Sequence, residues 1–140
     1  MKRTPLARKS PLKTKTPMAR KPIKRKATRK QSTDKRWRSE QYLAFVRSLP
    51  CCMCMEKPCD AHHVIGLGWG LSGMGLTAPD SFAMPLCREH HAWMHQKPDT
   101  HGYQPIWLRR TLHAGLKQFT GDTADQLRKA LAFIESKEAA

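Results

Sequence analysis

Two short ligand patterns constrain this chain more than any other feature. Cys51 and Cys54 stand at C-x-x-C spacing in "LPCCMC", and Cys87 and His90 stand at C-x-x-H spacing in "LCREHHAWMH". Each pair fits one tight turn whose two ligands can reach the same Zn2+. Together they suit a closed Cys3His tetrahedral site, for which the chain folds back on itself to bring the two turns together; the alternative is a set of buried reduced thiols with a surface histidine. Cys59 is the second-choice ligand. Cys52 lies too close to Cys54 in sequence to share the geometry and is assigned to packing.

The remainder of "LCREHHAWMH" points to a second site. On a helix, His91 and His95 are four residues apart and share a face, with Cβ atoms roughly 6 Å apart. His90 lies about 100° round the helix from His91 and can face back to the knuckle. The stretch "DAHHVI" reads as a strand, on which His62 and His63 point to opposite faces. One of them can join His91 and His95 on a metal ion while the other stays free as a base. Such a site keeps coordination positions open, as a catalytic metal requires.

The charge is concentrated at one end. Residues 1–36 hold 15 Lys and Arg against Asp34, which accounts for +14 of the net +15, and residues 37–140 carry +1. Prolines at 5, 11, 17 and 22 disfavour helix there, so a disordered basic tail over 1–33 is expected ahead of a folded domain over 34–140. Lys2, Arg3, Arg8, Lys9, Arg20, Lys21, Lys24, Arg25, Lys26, Arg29 and Lys30 are its candidate DNA-binding residues. The tail is either a solubilising or nucleic-acid-sticky segment without fixed geometry or a series of Ser/Thr-Pro-x-basic units lying along a DNA groove. No apolar run is long enough for a transmembrane helix, and no secretory signal is expected. Five cysteines without an export signal suit a reducing cytosol better than a disulfide framework.

The periodicity predicts a helix from about 34 to 48, capped by Ser32, Thr33 or Asp34 and carrying Trp37, Tyr42, Phe45, Val46 and Leu49 on its apolar face. Short strands are expected around "AHHVI" and "FAMPL", and a helix over "EHHAWMHQK". "PIWLRRTLHAGLKQF" and "TADQLRKALAFIESK" read as two closing helices, the second capped by Asp122 or Thr123. "GLGWGLSGMGLTAPDS" must be a loop. Either its backbone approaches phosphates with Trp69 against a base or sugar, or it is a flexible connector with Trp69 packed in the core. Arg88, Lys97, Arg109 and Arg110 are candidate phosphate contacts. His101 and His113 have no ligand spacing and are expected at the surface.

"LPCCMC", "DAHHVIG" and "MPLCREHHAWMH", spread over about residues 36–97, resemble the ββα-metal (HNH, His-Me finger) nucleases. The resemblance is especially to the small phage and prophage group that includes recombination-enhancing members. It implies a small α+β fold with a ββα-metal core, structural zinc knuckles and flanking helices. It also implies His63 as general base, His62, His91 and His95 as ligands of one divalent cation, and Cys51, Cys54, Cys87 and His90 as ligands of a structural Zn2+. Mg2+ or Mn2+ is the implied working ion, at a site Zn2+ or Ni2+ can also occupy, and the implied products carry 5′-phosphate and 3′-hydroxyl ends. The expected partner is double- or single-stranded DNA, with a recombinase filament as a candidate second partner. A monomer in the bacterial host cytosol or nucleoid is expected, with no membrane partner. One departure stands out: the chain contains no Asn to fill the middle position of HNH. Asp80, Ser81 or a backbone carbonyl must then orient His63. That absence favours a competing class, a zinc-stabilised non-catalytic DNA-binding or recombination-accessory protein. The four histidines favour the enzyme.

Overall fold

The computed structural model describes residues 36–140, and the chain divides into two units, Met1–Thr33 and Asp34–Ala140. The tail residues and the three candidate caps Ser32, Thr33 and Asp34 lie outside the described residues. The second unit is a small α+β structure. In order it contains α1 (Glu40–Ser48), β1 (Cys59–His63), β2 (Ala83–Cys87), α2 (Arg88–Gln96), α3 (Gln104–Gln118) and α4 (Gly121–Glu138), with 3-10 turns at Asp80–Phe82 and Pro98–Tyr103.

The first helix begins later than its periodicity predicts. Residues 36–39 are not helical because they are tied to the far side of the long loop. The Asp80 amide donates to the Trp37 carbonyl at 3.1 Å, and Arg38 Nη1 donates to the Ala78 carbonyl at 2.9 Å. Trp37 therefore lies ahead of the helix rather than on it. The cap is Ser39, whose hydroxyl accepts from the Tyr42 amide at 3.2 Å, satisfying one of the orphan donors of the first turn. Leu49 and Pro50 close the helix.

β1 and β2 form a two-stranded antiparallel sheet in which Cys59 faces Cys87 and His62 faces Met84. A two-stranded sheet is not stable alone, and helices supply the missing surface. Tyr42 and Val46 of α1, Met84 and Leu86 of β2, Met94 of α2, Leu108 and Leu112 of α3, and Leu127 and Ile134 of α4 meet in one core with no exposed surface. At the end of β1, buried Gln104 clamps Ile65, accepting from its amide at 3.0 Å and donating to its carbonyl at 2.7 Å. The cap of α4 is Thr120, not Asp122 or Thr123. Among the described residues no helix is long and apolar enough to cross a membrane.

The contact between α3 and α4 is close at Gly115. A Cβ there would meet Leu127 Cδ1 at 2.9 Å and Tyr42 Cε2 at 3.0 Å. Gly115→Val is therefore expected to lower stability by about 1–3 kcal/mol through overpacking. A urea unfolding midpoint equal to that of the wild type would contradict this packing.

Candidate metal centre

β2 runs into α2 without a loop, so Cys87 sits at the strand–helix junction and His90 in the first turn of the helix. The knuckle after α1 is closed by the Cys51 amide donating to the Glu56 carbonyl and the Met55 amide donating to the Cys51 carbonyl, both at 3.0 Å. Together these turns place Cys51, Cys54, Cys87 and His90 so that one ligand atom from each lies within 4.8 Å of the others. Cys54 Sγ is 3.7 Å from Cys87 Sγ, and His90 Nδ1 is 3.6 Å from Cys51 Sγ and 3.2 Å from Cys87 Sγ.

These separations suit a metal. With Zn–S near 2.3 Å, the edge of a regular sulfur tetrahedron is about 3.8 Å, close to the sulfur–sulfur distance found here. Burial pushes the Cys51 thiol up, but amides from Cys54, Cys87 and Met53 outweigh that and bring it down to about 6. At Cys54 the Glu56 amide lowers the thiol, but burial and the neighbouring Cys51 and Cys87 thiols outweigh it and hold it up at about 11, so the case for a metal rests on the distances. The cluster can thus hold a metal such as zinc. Cys59 is not in it, and its thiol donates to the Glu56 carbonyl at 3.2 Å. Cys52 is likewise outside, where burial pushes its thiol up to about 12.

A second group forms on the other side of α2. His62, His91 and His95 also place ligand atoms within 4.8 Å of one another, with ring centroids 4.9–5.2 Å apart. His62 is buried, and its Nε2 has no hydrogen-bond partner. A buried polar atom without a partner carries a desolvation cost that a ligand or ion would remove. Burial, followed by the neighbouring His91 and His95, pushes the His62 imidazole down to about 3. It is therefore neutral at ordinary pH, the state in which imidazole ligates metal. His91 Nδ1 lies 3.1 Å from Asp60 Oδ2, a carboxylate–histidine contact that fixes the ring and leaves Nε2 as its free nitrogen.

His63 takes no part in that triad. Its Nε2 lies 2.9 Å from Asp80 Oδ1. An ionised carboxylate only accepts, so Nε2 carries a proton, and in the neutral ring the lone pair stands on Nδ1. Asp80 is itself buried and held by Arg38 Nη1 at 2.8 Å and by the Ser39 amide at 2.8 Å. Burial raises its carboxyl, but the contacts to His63, Arg38 and Ser39 overcome this and leave it below the usual carboxylate range. Of the alternatives for orienting His63, the side chain in contact is Asp80. His62, His63, His91 and His95 all line one cleft of about 260 Å3, walled by Ser72, Leu76, Thr77 and Ala78.

Other expectations fare unevenly. His113 is exposed, but His101 is half-buried and its Nε2 lies 3.0 Å from the Met94 carbonyl. It earns that place by packing against Gly66, where a Cβ would come within 2.0 Å of the ring. Trp69 packs edge-on against Phe133 at 5.9 Å, as the core-packed alternative expects. Arg109 pairs with Glu138, and Arg88 lies 3.4 Å from Asp60. Asp60 and Arg38 were missed from sequence: each acts through a partner more than 30 residues away. Only the adjacency of Asp60 to the paired histidines hinted at a role.

Among the described residues, fold and site together define a small α+β unit in which a Cys3His set and a set of three histidines, each able to hold a metal, flank one helix. The family described as "Protein of unknown function (DUF968)" matches residues 25–118, and the chain belongs to it. It is 46% identical over 61 residues to the "Uncharacterized protein YdfU" of Escherichia coli (strain K12), a match covering 44% of this chain and 17% of that relative. No solved structure matches the chain.

Proposed function

We propose that the chain is a metal-dependent DNA endonuclease with a ββα-metal (HNH-type) core and a basic DNA-binding tail. One observation carries this reading: a triad of imidazoles and a carboxylate-held histidine open into the same cleft. A zinc-stabilised binding module needs the Cys51–Cys54–Cys87–His90 set but has no use for the second one.

His62, His91 and His95 would hold the cation, Mg2+ or Mn2+ by the family resemblance. When bound, the cation supplies positive charge for a phosphate oxygen and the leaving 3′-oxygen. His63 Nδ1, freed by the donation of Nε2–H to Asp80, takes the proton of the attacking water. Asp80 holds the imidazole in that tautomer and offsets the charge it gains, and Arg38 keeps Asp80 ionised. The structural cluster fixes the start of α2, so that His91 and His95 keep their angle to β1. DNA processing in phage or prophage recombination is the setting the resemblance favours, in the host cytosol and with a recombinase filament as candidate partner.

Supercoiled plasmid and single-stranded DNA incubated with Mg2+ or Mn2+ test the reading. The wild-type chain is expected to nick them, and His63→Ala to lose that activity. Equal trace cleavage by both would remove the enzyme reading in favour of a binding protein. Deleting residues 1–35 removes 14 of the 26 Lys and Arg. It is expected to weaken DNA binding and flatten its dependence on salt, because fewer counterions are released. Fluorescence anisotropy over a salt series measures both, and an unchanged slope would sink the assignment of the tail.

A further inference from the structure

We propose that the glycine hairpin beside the histidine cleft is a wedge that unstacks DNA next to the cleaved bond, with Met74 at its tip. The proposal rests on the nuclease reading and extends it to a substrate class.

The loop between β1 and the 3-10 turn is anchored along its length. Leu67, Trp69 and Leu71 pack against the core. Arg36 donates to the carbonyls of Leu71 and Thr77, and Arg38 donates to those of Thr77 and Ala78. Between these anchors Gly73 and Leu76 exchange two backbone hydrogen bonds, at 3.2 and 3.0 Å. Met74 and Gly75 therefore form a tight two-residue turn, with Gly75 at φ +75°, a conformation that suits glycine.

The turn holds an apolar side chain out in water. Met74 is 102% exposed and Leu76 is 53% exposed. Leu76 and Thr77 also line the cleft that contains all four histidines, so the tip stands beside the position of a scissile phosphate. Residues 61–79 contain no acidic side chain, and the half-exposed Arg38 lies at the base of the hairpin. Nothing there repels a phosphate backbone. An exposed methionine on an anchored turn contributes nothing to the core. Slipped between base steps from the minor groove, it would bury its surface and kink the duplex. Unstacking costs least where a step is flexible or a base is unpaired. The favoured substrate class is therefore DNA with a weakly stacked or unpaired step beside the cleaved bond.

The full-length chain in a His63→Ala background, loaded with Mg2+, tests this without cleavage. The probe is a short duplex carrying the fluorescent adenine analogue aminopurine next to a single-nucleotide bulge, with the fully paired duplex alongside. Binding should raise the fluorescence of the bulged duplex several-fold, more than that of the paired one. Met74→Leu should keep most of the rise, and Met74→Ala should lose it at equal occupancy by anisotropy. Both substitutions fall on a fully exposed side chain and leave the fold intact. An equal rise with Met74→Ala, or no rise at saturating protein, would overturn the wedge. A rise that depends on Met74, in a chain whose wild type cuts neither duplex, would support the wedge and remove the nuclease reading.

Discussion

His90→Ala is expected to unfold the domain, whereas His91→Ala, one residue on, is expected to leave it folded and inactive. The two side chains leave α2 in different directions and enter different clusters. His90 completes the Cys51, Cys54 and Cys87 set, which joins the knuckle after α1 to the start of α2. Zinc binding in sites of this kind is worth about 10–16 kcal/mol, and losing one of four ligands forfeits a large part of it. A domain of this size has only about 5–15 kcal/mol of stability to lose. The variant should show no cooperative melt, bind no tightly held zinc, and expose its thiols to alkylation. His91 is half-buried at the cleft and touches Asp60, and its removal should cost about 1 kcal/mol or less. Cleavage should fall by about 100-fold or more, beyond what losing an outer partner of a ligand does. Circular dichroism melts, zinc content and plasmid nicking on the two variants check this. Matching phenotypes would mean that the two clusters are not separate in function.

Asp80→Ala should have the second largest effect, because one buried carboxylate serves three partners. It accepts from His63, Arg38 and the Ser39 amide, so its loss frees the base and leaves a part-buried backbone donor unpaired. The expected cost is about 1–3 kcal/mol, a fall in Tm of about 4–8 °C per kcal/mol for a domain near this size. Activity should drop by about 100-fold or more as His63 loses its orientation. Asp80→Asn keeps an acceptor for His63, as the Asn of the resembled family would, and should be milder in both respects. The pH dependence has a definite sign. Because the folded carboxyl lies below the usual range, its contribution is fully present above the unfolded value of about 3.9. It is lost as pH falls through the folded value. The stability gap between wild type and Asp80→Asn should therefore be widest near neutrality and shrink below about pH 4. A gap that does not change with pH would show that the charge on Asp80 does not contribute.

The grouping of the candidate ligands into two clusters was legible because their members are local. C-x-x-C, C-x-x-H and a pair of histidines four apart each require only one turn of chain, and turns are set by neighbouring residues. The division of "LCREHHAWMH" at His90 and His91 follows from helix geometry alone. The start of α1 was not legible, since Trp37 and Arg38 satisfy a helical pattern but are held out of the helix by Asp80 and Ala78, some 40 residues away. Asp60, Arg38 and the burial of His101 were hidden for the same reason. Each depends on a partner that only the folded chain brings near.

Single-turnover cleavage of an end-labelled duplex at saturating Mn2+ tests the central claim most directly. The wild-type chain should cut it to 5′-phosphate and 3′-hydroxyl ends. His63→Ala should cut at least about 100-fold more slowly while binding the duplex and the metal as the wild type does. Equal rates and equal ends for the two proteins would contradict the assignment of His63 as the base, and with it the reading of the cleft as a nuclease centre.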